Sequence, residues 1–356
     1  MTEAVRDPKI AVLIPVYNEE KVLKGTIDAL VAAGVPRRDI YVVNDKSTDT
    51  TEEVAKACWV NVFTVRENGG KARAQVQALE HFKLCDRYDW VIFVDGDTKV
   101  DLRFYEEMHL AARTDPSVAL YVGQVKSVKN DHAYSATRAV EYAYGQDVAK
   151  HGQSNFNVII VSPGCSSMYR ADILRQLHID HLTLAEDMDL TIQVHRLGGR
   201  VKYLPEAAVH TQDPATLKDY LKQMLRWYRG FWQVVLKHRI FGWQRKQGVD
   251  LYMMLCIFDA TVLNRVLWII GLLCFFPKQA PSIIGIDVGI MFAVTTYGAW
   301  RTKRLDVFKW FPVSYAVGFL SVAMYLRAFV EIIVLRKQIL AWNRVARYDY
   351  SNHLAL

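Results

Sequence analysis

Up to about residue 213 the chain alternates short apolar runs with longer segments of helical spacing. KIAVLIPVYN (9–18) is short, apolar and branched, which predicts a buried strand. EEKVLKGTIDALVAAG (19–34) follows with helical spacing and stops at Gly34, so it reads as a helix. Strand IYVVND, helix TDTTEEVAKAC, strand VNVFTV and helix KARAQVQALEHF come next. Strand WVIFVDGDT follows and, after a further helix, strand VALYVGQV. This alternation predicts an α/β domain with a mostly parallel sheet and helices on both faces. Ligands of such sheets bind beyond the carboxyl ends of the strands.

After Pro214 the pattern changes. Leu217, Leu221, Met224, Tyr228, Phe231, Trp232 and Val235 recur at helical spacing with Lys and Arg between them, as in an amphipathic helix lying at a membrane interface. Trp232 and Trp243 read as interface aromatics. Three apolar segments follow, Leu251–Phe276, Ile283–Trp300 and Phe311–Leu335, each close to the ~20 residues that cross a bilayer. The first holds Asp259, Asn264 and Arg265; the third holds Arg327 and Glu331. Charges in such segments are expected to face the bundle or the interface. The expected division is an α/β domain over 1–213, interfacial helices over 214–250 and a membrane region over 251–356. RTKRLDVFKW between the second and third segments is basic and reads as cytoplasmic. Three crossings would place the C-terminus outside. The basic tail RKQILAWNRVARYDY argues the other way, which leaves one segment re-entrant or flat.

Charge sharpens this division. The chain of 356 residues carries a net charge of +7, but unevenly. From Pro214 onward there are 19 basic and 7 acidic residues; before it there are 25 and 30. A basic half that contains long apolar runs points to membrane lipids with anionic headgroups and away from nucleic acid. The five cysteines are widely spaced with no CxxC, which points to a reducing compartment and away from a disulfide framework or zinc site. The polar start MTEAVRDPKI reads as neither signal peptide nor membrane helix.

Chemistry-bearing residues gather at the predicted strand ends. Asp45, Asp95 and Asp97 all follow strands. Such carboxylates can be helix caps or turn formers, the reading that suits Asp49. An Asp-Gly-Asp closing an apolar strand is different, because two adjacent anions repel unless something positive sits beside them. Divalent, oxygen-liking cations such as Mg²⁺ or Mn²⁺ suit these ligands. Gly69 and Gly70 permit a close backbone approach ahead of Lys71. Lys71 itself reads equally as a ligand contact or as a solvated Lys at a helix start. Gln223, Arg226 and Trp227, at i, i+3 and i+4, share one helical face.

IPVYNEE, VVNDKSTDTT, NGGKARA, VDGDT, AEDMDL and QMLRW occur in this order. That series resembles the membrane-integrated GT-A glycosyltransferases of family 2, which include cellulose, chitin, hyaluronan and poly-N-acetylglucosamine synthases. The resemblance covers roughly Lys9 to Gly230. It implies a GT-A fold and a UDP-sugar donor bound by Tyr17, Asn18, Asp45, Lys71, Asp95 and Arg226, with Asp97 as metal ligand. It implies Asp187 as general base beside Glu186, with Ala185 where the family usually has Thr. EDMD also reads as the acidic start of a solvated helix. Gln223 and Trp227 match the acceptor side of QxxRW. Cys165 in SPGCSSMYR reads either as lining the acceptor pocket or as a plain buried Cys. His210 reads as approaching the metal or as a strand-end His with no such role.

The implied activity is inverting, metal-dependent transfer of glucose or N-acetylglucosamine to a growing β-linked polysaccharide or oligosaccharide, at the plasma membrane with the catalytic domain cytoplasmic. Two alternatives stand beside it: a ceramide or diacylglycerol glucosyltransferase-like glycolipid synthase, and a non-catalytic sugar-binding membrane subunit. Unlike cellulose and hyaluronan synthases, this sequence shows no N-terminal span, no clear gating loop and few C-terminal spans. Translocating a long polymer would then call for a homo-oligomer.

Overall fold

The computed structural model describes residues 7–130, 132–243 and 246–340. The segment MTEAVR and most of the basic tail lie outside the described residues. The chain forms two compact units. Among the described residues, one holds those up to Lys126 together with Lys150–Gln212; the other holds Ser127–Ala149 and those from Asp213 to Leu340.

The first unit is built on one sheet of eight strands: β1 (Ile10–Val16), β2 (Ile40–Asn44), β3 (Asn61–Thr64), β4 (Trp90–Phe93), β5 (Lys99–Val100), β6 (Leu120–Ser127), β7 (Ser167–Arg170) and β8 (Val201–Thr211). Their order is β3-β2-β1-β4-β7-β6-β8-β5. β1, β2 and β4 are almost wholly buried, which is why they read as continuous apolar runs and not as alternating ones.

Register positions the chemistry. β1 runs parallel to β2, with Val16 opposite Asn44, and parallel to β4, with Leu13 opposite Phe93. The carboxyl ends of three strands therefore align, bringing residues 17–18, 45 and 95–97 to one edge. β7 runs antiparallel to β4 with Ser167 opposite Phe93. The loop before β7, Ser162–Ser166, so reaches the same edge from the opposite chain direction. The sheet is thus parallel through β3, β2, β1 and β4 and changes direction at β7. β5, β7 and β8 were not foreseen from the apolar pattern. β5 is two residues long, and β8 includes Pro205 and Glu206.

The second unit is helical. Thr216 caps the helix Leu217–Lys237 by accepting from the Asp219 N–H at 3.2 Å. This helix packs along Phe311–Phe329: Tyr228 lies 5.4 Å from Tyr325, and Trp232 lies 5.5 Å from Tyr325 and 5.0 Å from Phe329, ring centroid to centroid. Trp232 is only 2% exposed, so it is a packing residue and not the interface aromatic its sequence suggests. Trp243 is fully exposed.

Among the described residues, three stretches are long and apolar enough to cross a membrane: Gly248–Phe275, Pro277–Thr302 and Phe311–Val334. The first is two helices, Gly248–Thr261 and Arg265–Phe275, and not one. The break falls where Asn264 Oδ1 accepts the Val266 and Leu267 N–H groups, capping the second helix. Arg265, Asp287, Arg327 and Glu331 in these stretches are paired, while Asp259 is exposed. Arg265 Nη1 lies 2.5 Å from Asp287 Oδ2, which also accepts from Tyr315 OH at 2.6 Å. Glu331 accepts from Arg229 Nε at 2.7 Å and Arg327 Nε at 3.0 Å.

Gly123 on β6 tests the sheet's close packing. A Cβ there would lie 2.4 Å from the Ala207 carbonyl oxygen and 3.2 Å from Ser166 Cβ, both backbone-anchored. Gly145 has open space instead and an ordinary helical φ of −66°. Gly123→Ala should cost about 1–3 kcal/mol, whereas Gly145→Ala should be neutral or stabilising by about 0.5 kcal/mol. Unfolding of both variants in detergent measures the contrast.

Candidate active site

The edge where β1, β2 and β4 end is assembled by side chain-to-backbone bonds. Asp45 is 4% exposed. Its Oδ1 accepts the Gly69 N–H at 2.9 Å and its Oδ2 the Gly70 N–H at 2.8 Å. The carboxylate thus ties the end of β2 to the Gly-Gly turn. Gly70 needs its glycine, with φ +82° directly before the helix Lys71–His81. Asn18, at φ 54°, accepts the Thr48 N–H at 2.8 Å through Oδ1, and its own N–H donates to Ser47 Oγ at 2.9 Å. Tyr17, partly buried, stands beside it. Asp49 accepts the Thr51 N–H at 3.0 Å, the turn-forming role its sequence suggests.

Lys71 is the centre of charge. Its ammonium lies 2.7 Å from Asp95 Oδ1 and 3.3 Å from Glu186 Oε1. It is the positive group that the Asp-Gly-Asp turn requires. Burial works against the ammonium, but Asp95, Glu186 and Asp187 outweigh it and hold Lys71 more firmly protonated than an ordinary lysine. Gly164 of the loop before β7 makes room for it, since a Cβ there would stand 2.7 Å from Lys71 Nζ and 3.9 Å from Asp187 Cβ. The solvated helix-start reading of Lys71 is excluded.

Gly96 is equally constrained, as its Cβ would meet Val16 Cγ1 at 2.8 Å, and its carbonyl accepts from Thr26 Oγ1 at 2.8 Å. Asp97 beside it is 5% exposed. Glu186 and Asp187 open the helix Glu186–Arg196. Asp187 Oδ1 accepts the Met188 N–H at 2.8 Å. Thr191 donates to the Asp187 carbonyl at 2.7 Å and accepts the Ser162 N–H at 2.9 Å, pinning the loop to the helix. Cys165 in that loop is buried. Burial, with Asp95, Asp97 and Asp187 nearby, pushes its thiol well above its usual range, so it stays neutral.

The carboxylates fit a hard divalent cation. Asp97, buried beside the Asp95–Lys71 pair, is a side chain that could hold Mg²⁺ or Mn²⁺. Among the described residues no group of three His, Cys, Asp or Glu could hold a metal alone. Oxygens of a bound substrate would have to complete the shell. His210 is occupied elsewhere: Nε2 lies 2.7 Å from Asp101 Oδ1, and Lys126 Nζ lies 3.0 Å from Asp101 Oδ2. Burial opposes the Asp101 charge, but His210 and Lys126 hold its carboxyl down at about 2.

The first unit therefore gathers Tyr17, Asn18, Asp45, Lys71, Asp95, Asp97, Cys165, Glu186 and Asp187 at one sheet edge. Gln223, Arg226 and Trp227 belong to the second unit. There Gln223 Oε1 accepts from Arg138 Nη2 at 2.8 Å, and the Arg138 guanidinium lies 4.5 Å from the Trp227 ring centroid. Sequence reasoning overlooked Arg138, although Glu141 three residues on is a helical-pair signal. It also overlooked Lys150, 5% exposed, whose ammonium donates to the Val161 carbonyl at 3.2 Å and feels the charge of Asp187.

Comparison with known proteins gives the family and the fold. Residues 8–230 match the family described as Glycosyltransferase like family 2. The chain is 26% identical over 370 residues to "Probable glycosyltransferase YdaM" of Bacillus subtilis (strain 168), covering 96% of this chain and 87% of the relative. It is 25% identical over 265 residues to "Poly-beta-1,6-N-acetyl-D-glucosamine synthase" of Staphylococcus aureus (strain COL), covering 73% of this chain and 62% of that relative. In fold it is similar to the mannosyltransferase PcManGT from Pyrobaculum calidifontis, solved with GDP-Man and Mn²⁺ (TM-score 0.57, 17% identity, 90% of this chain and 88% of that one). It is also similar to S. aureus TarS 1-349 in complex with UDP-GlcNAc (TM-score 0.50, 15% identity, 91% of each chain).

Lys150 gives a pH test. Burial, only partly offset by Asp187 and Cys165, lowers its pKa from 10.5 to about 8. Between these values the unfolded chain binds the extra proton, so this group makes stability rise with pH from about 8 to 10.5. Lys150→Met should be the more stable protein at pH 7, by about 1–3 kcal/mol, with the gap closing towards pH 10. Thermal unfolding across that range measures it; a gap that does not change with pH contradicts a buried ammonium.

Proposed function

Since the chain belongs to glycosyltransferase family 2, we propose that it transfers N-acetylglucosamine or glucose from a UDP-sugar to a hydroxyl of a β-linked glycan at a membrane, with inversion. The observation that carries this reading is the Lys71–Asp95–Glu186 network, which joins three sequence motifs at one sheet edge beside Asp45, Asp97 and Asp187. A site for a neutral ligand has no need of so many carboxylates around one ammonium.

Each residue has a task. Asp45 orders the Gly-Gly turn and borders the base, with Tyr17 and Asn18. Lys71 holds Asp95 in place and lends positive charge to the diphosphate side. A divalent ion held by Asp97 would neutralise the diphosphate charge as UDP leaves. Asp187 takes the proton of the acceptor hydroxyl as that oxygen bonds to the anomeric carbon and the carbon–phosphate oxygen bond breaks, its electron pair leaving with UDP. The Met188 N–H holds Asp187 Oδ1 and so fixes the carboxylate's orientation. With one base and no carboxylate nucleophile, displacement is direct and an α-linked donor yields a β-linked product. In the second unit, Arg226 is assigned to the leaving group and Gln223 and Trp227 to the acceptor.

N-Acetylglucosamine is favoured over glucose by the similarity to a chain named poly-β-1,6-N-acetyl-D-glucosamine synthase. The basic RTKRLDVFKW segment supports a cytoplasmic face for the catalytic unit. A lipid acceptor is the second reading, supported by the motif helix packing on the apolar helix Phe311–Phe329 in the same unit.

Incubation with labelled UDP- and GDP-sugars, followed by organic extraction and sizing, tests donor and acceptor together. Label in an aqueous polymer supports the glycan reading; label in the lipid phase replaces it. Asp187→Asn should lower transfer by roughly 10²- to 10⁴-fold while UDP binding is kept; wild-type turnover would remove Asp187 as base. Asp97→Ala should abolish the stimulation of UDP binding by Mn²⁺, measured by titration calorimetry with and without the ion.

A further inference from the structure

Arg138 lies outside every motif named above, on the helix Ala133–Tyr144 of the second unit. Its side chain is 3% exposed. Nη1 donates to Glu141 Oε2 at 2.6 Å. Nη2 donates to Gln223 Oε1 at 2.8 Å and to Met224 Sδ at 3.1 Å. The guanidinium carbon stands 4.4 Å from the ring centroid of Tyr220 and 4.5 Å from that of Trp227. Glu141 is held in turn by Tyr220, whose hydroxyl donates to Oε1 at 2.8 Å. Tyr220, Gln223, Met224 and Trp227 fall at i, i+3, i+4 and i+7 on the helix Leu217–Lys237, so one cation touches a single stripe of the motif helix four times.

Chemistry gives these contacts a direction. A guanidinium only donates, so Gln223 must turn its carbonyl oxygen towards Arg138. Its amide NH₂ then lies on the other arm of the group, with the N–H anti to the carbonyl directed away from the guanidinium. Trp227 meets Arg138 with one face of its ring, and a flat ring has a second face on which a sugar can stack. Burying the cation is costly, and Arg138 Nε has no hydrogen-bond partner. An apolar residue of similar volume would serve packing alone at least as well.

We propose that Arg138 is a positioning residue for the acceptor: it aims the outward Gln223 N–H at an oxygen of the incoming sugar and holds Trp227 as its stacking platform. The inference rests on the glycosyltransferase reading above and extends it to a residue outside the motif.

Full-length protein in detergent, with UDP-N-acetylglucosamine or UDP-glucose as donor and a β-linked N-acetylglucosamine disaccharide as acceptor, tests it. Arg138→Lys keeps the charge but loses the planar fork, and should raise the acceptor KM roughly 10- to 100-fold with the donor KM within about twofold. Gln223→Glu is the variant that protects against a folding artefact. A carboxylate still accepts from Arg138, so the unfolding temperature should hold or rise, yet the outward N–H donor is gone and the acceptor KM should rise as in Arg138→Lys. An acceptor KM equal to that of the wild type in Gln223→Glu overturns the proposal, as does an equal value in a folded Arg138→Lys. A purely structural Arg138 predicts that outcome. A wild-type chain that turns over neither donor overturns the glycosyltransferase reading, and this inference with it.

Discussion

The Lys71 ammonium is the point on which the carboxylate-rich sheet edge turns. Three carboxylates, Asp95, Glu186 and Asp187, come from two distant segments and would repel one another if brought together alone. Lys71 contacts Asp95 and Glu186 directly, and its charge reaches Asp187. Removing it would leave a cluster of like charges only partly screened by solvent, which is a larger penalty than the loss of one surface ion pair. Neighbouring features follow from making room for it. Gly164 lacks a side chain where the ammonium sits, and Gly70 adopts the left-handed φ that starts the lysine's own helix. The carboxylate of Asp45 holds that Gly-Gly turn in place.

Much of this was legible in the sequence because it depends on local patterns. The strands β1, β2, β4 and β6 are apolar runs that nothing but burial explains, and parallel alignment follows from the helices between them. Motifs at strand ends then converge automatically. What was not legible depends on long-range pairing. β7 is four residues, SMYR, with no apolar alternation to mark it, and its place between β4 and β6 is set by the antiparallel match of Ser167 to Phe93. Arg138 was missed for a related reason, since a single Arg in a helix looks solvated until the partner helix covers it. Trp232 was misjudged because a Trp among Lys and Arg has the same signature at a lipid interface as beneath a neighbouring helix. The break at Asn264 was visible as a polar residue, but its effect on the helix needed the capping geometry.

In the second unit, polar and apolar groups have divided roles. Aromatic contacts between Leu217–Lys237 and Phe311–Phe329 supply area, while ion pairs such as Arg229–Glu331 and Arg265–Asp287 fix which residues meet. In a low-dielectric setting an unpaired charge is far costlier than a paired one, so a slipped helix register carries a heavy penalty. Such pairs specify arrangement more than they add stability.

The place of β7 also bears on how the chain is made. β4 emerges from the ribosome well before its neighbour β7, and the whole of Ser127–Ala149 is synthesised in the interval. Until Ser167–Arg170 appears, one edge of β4 has no strand to pair with, and an open apolar edge invites pairing with other chains. The antiparallel insertion of β7 thus also closes the open edge of β4 during synthesis, while β6 waits for β8, which begins only at Val201. A chain arrested shortly before residue 167 would carry the Asp-Gly-Asp turn but not the neighbour that closes the edge of β4.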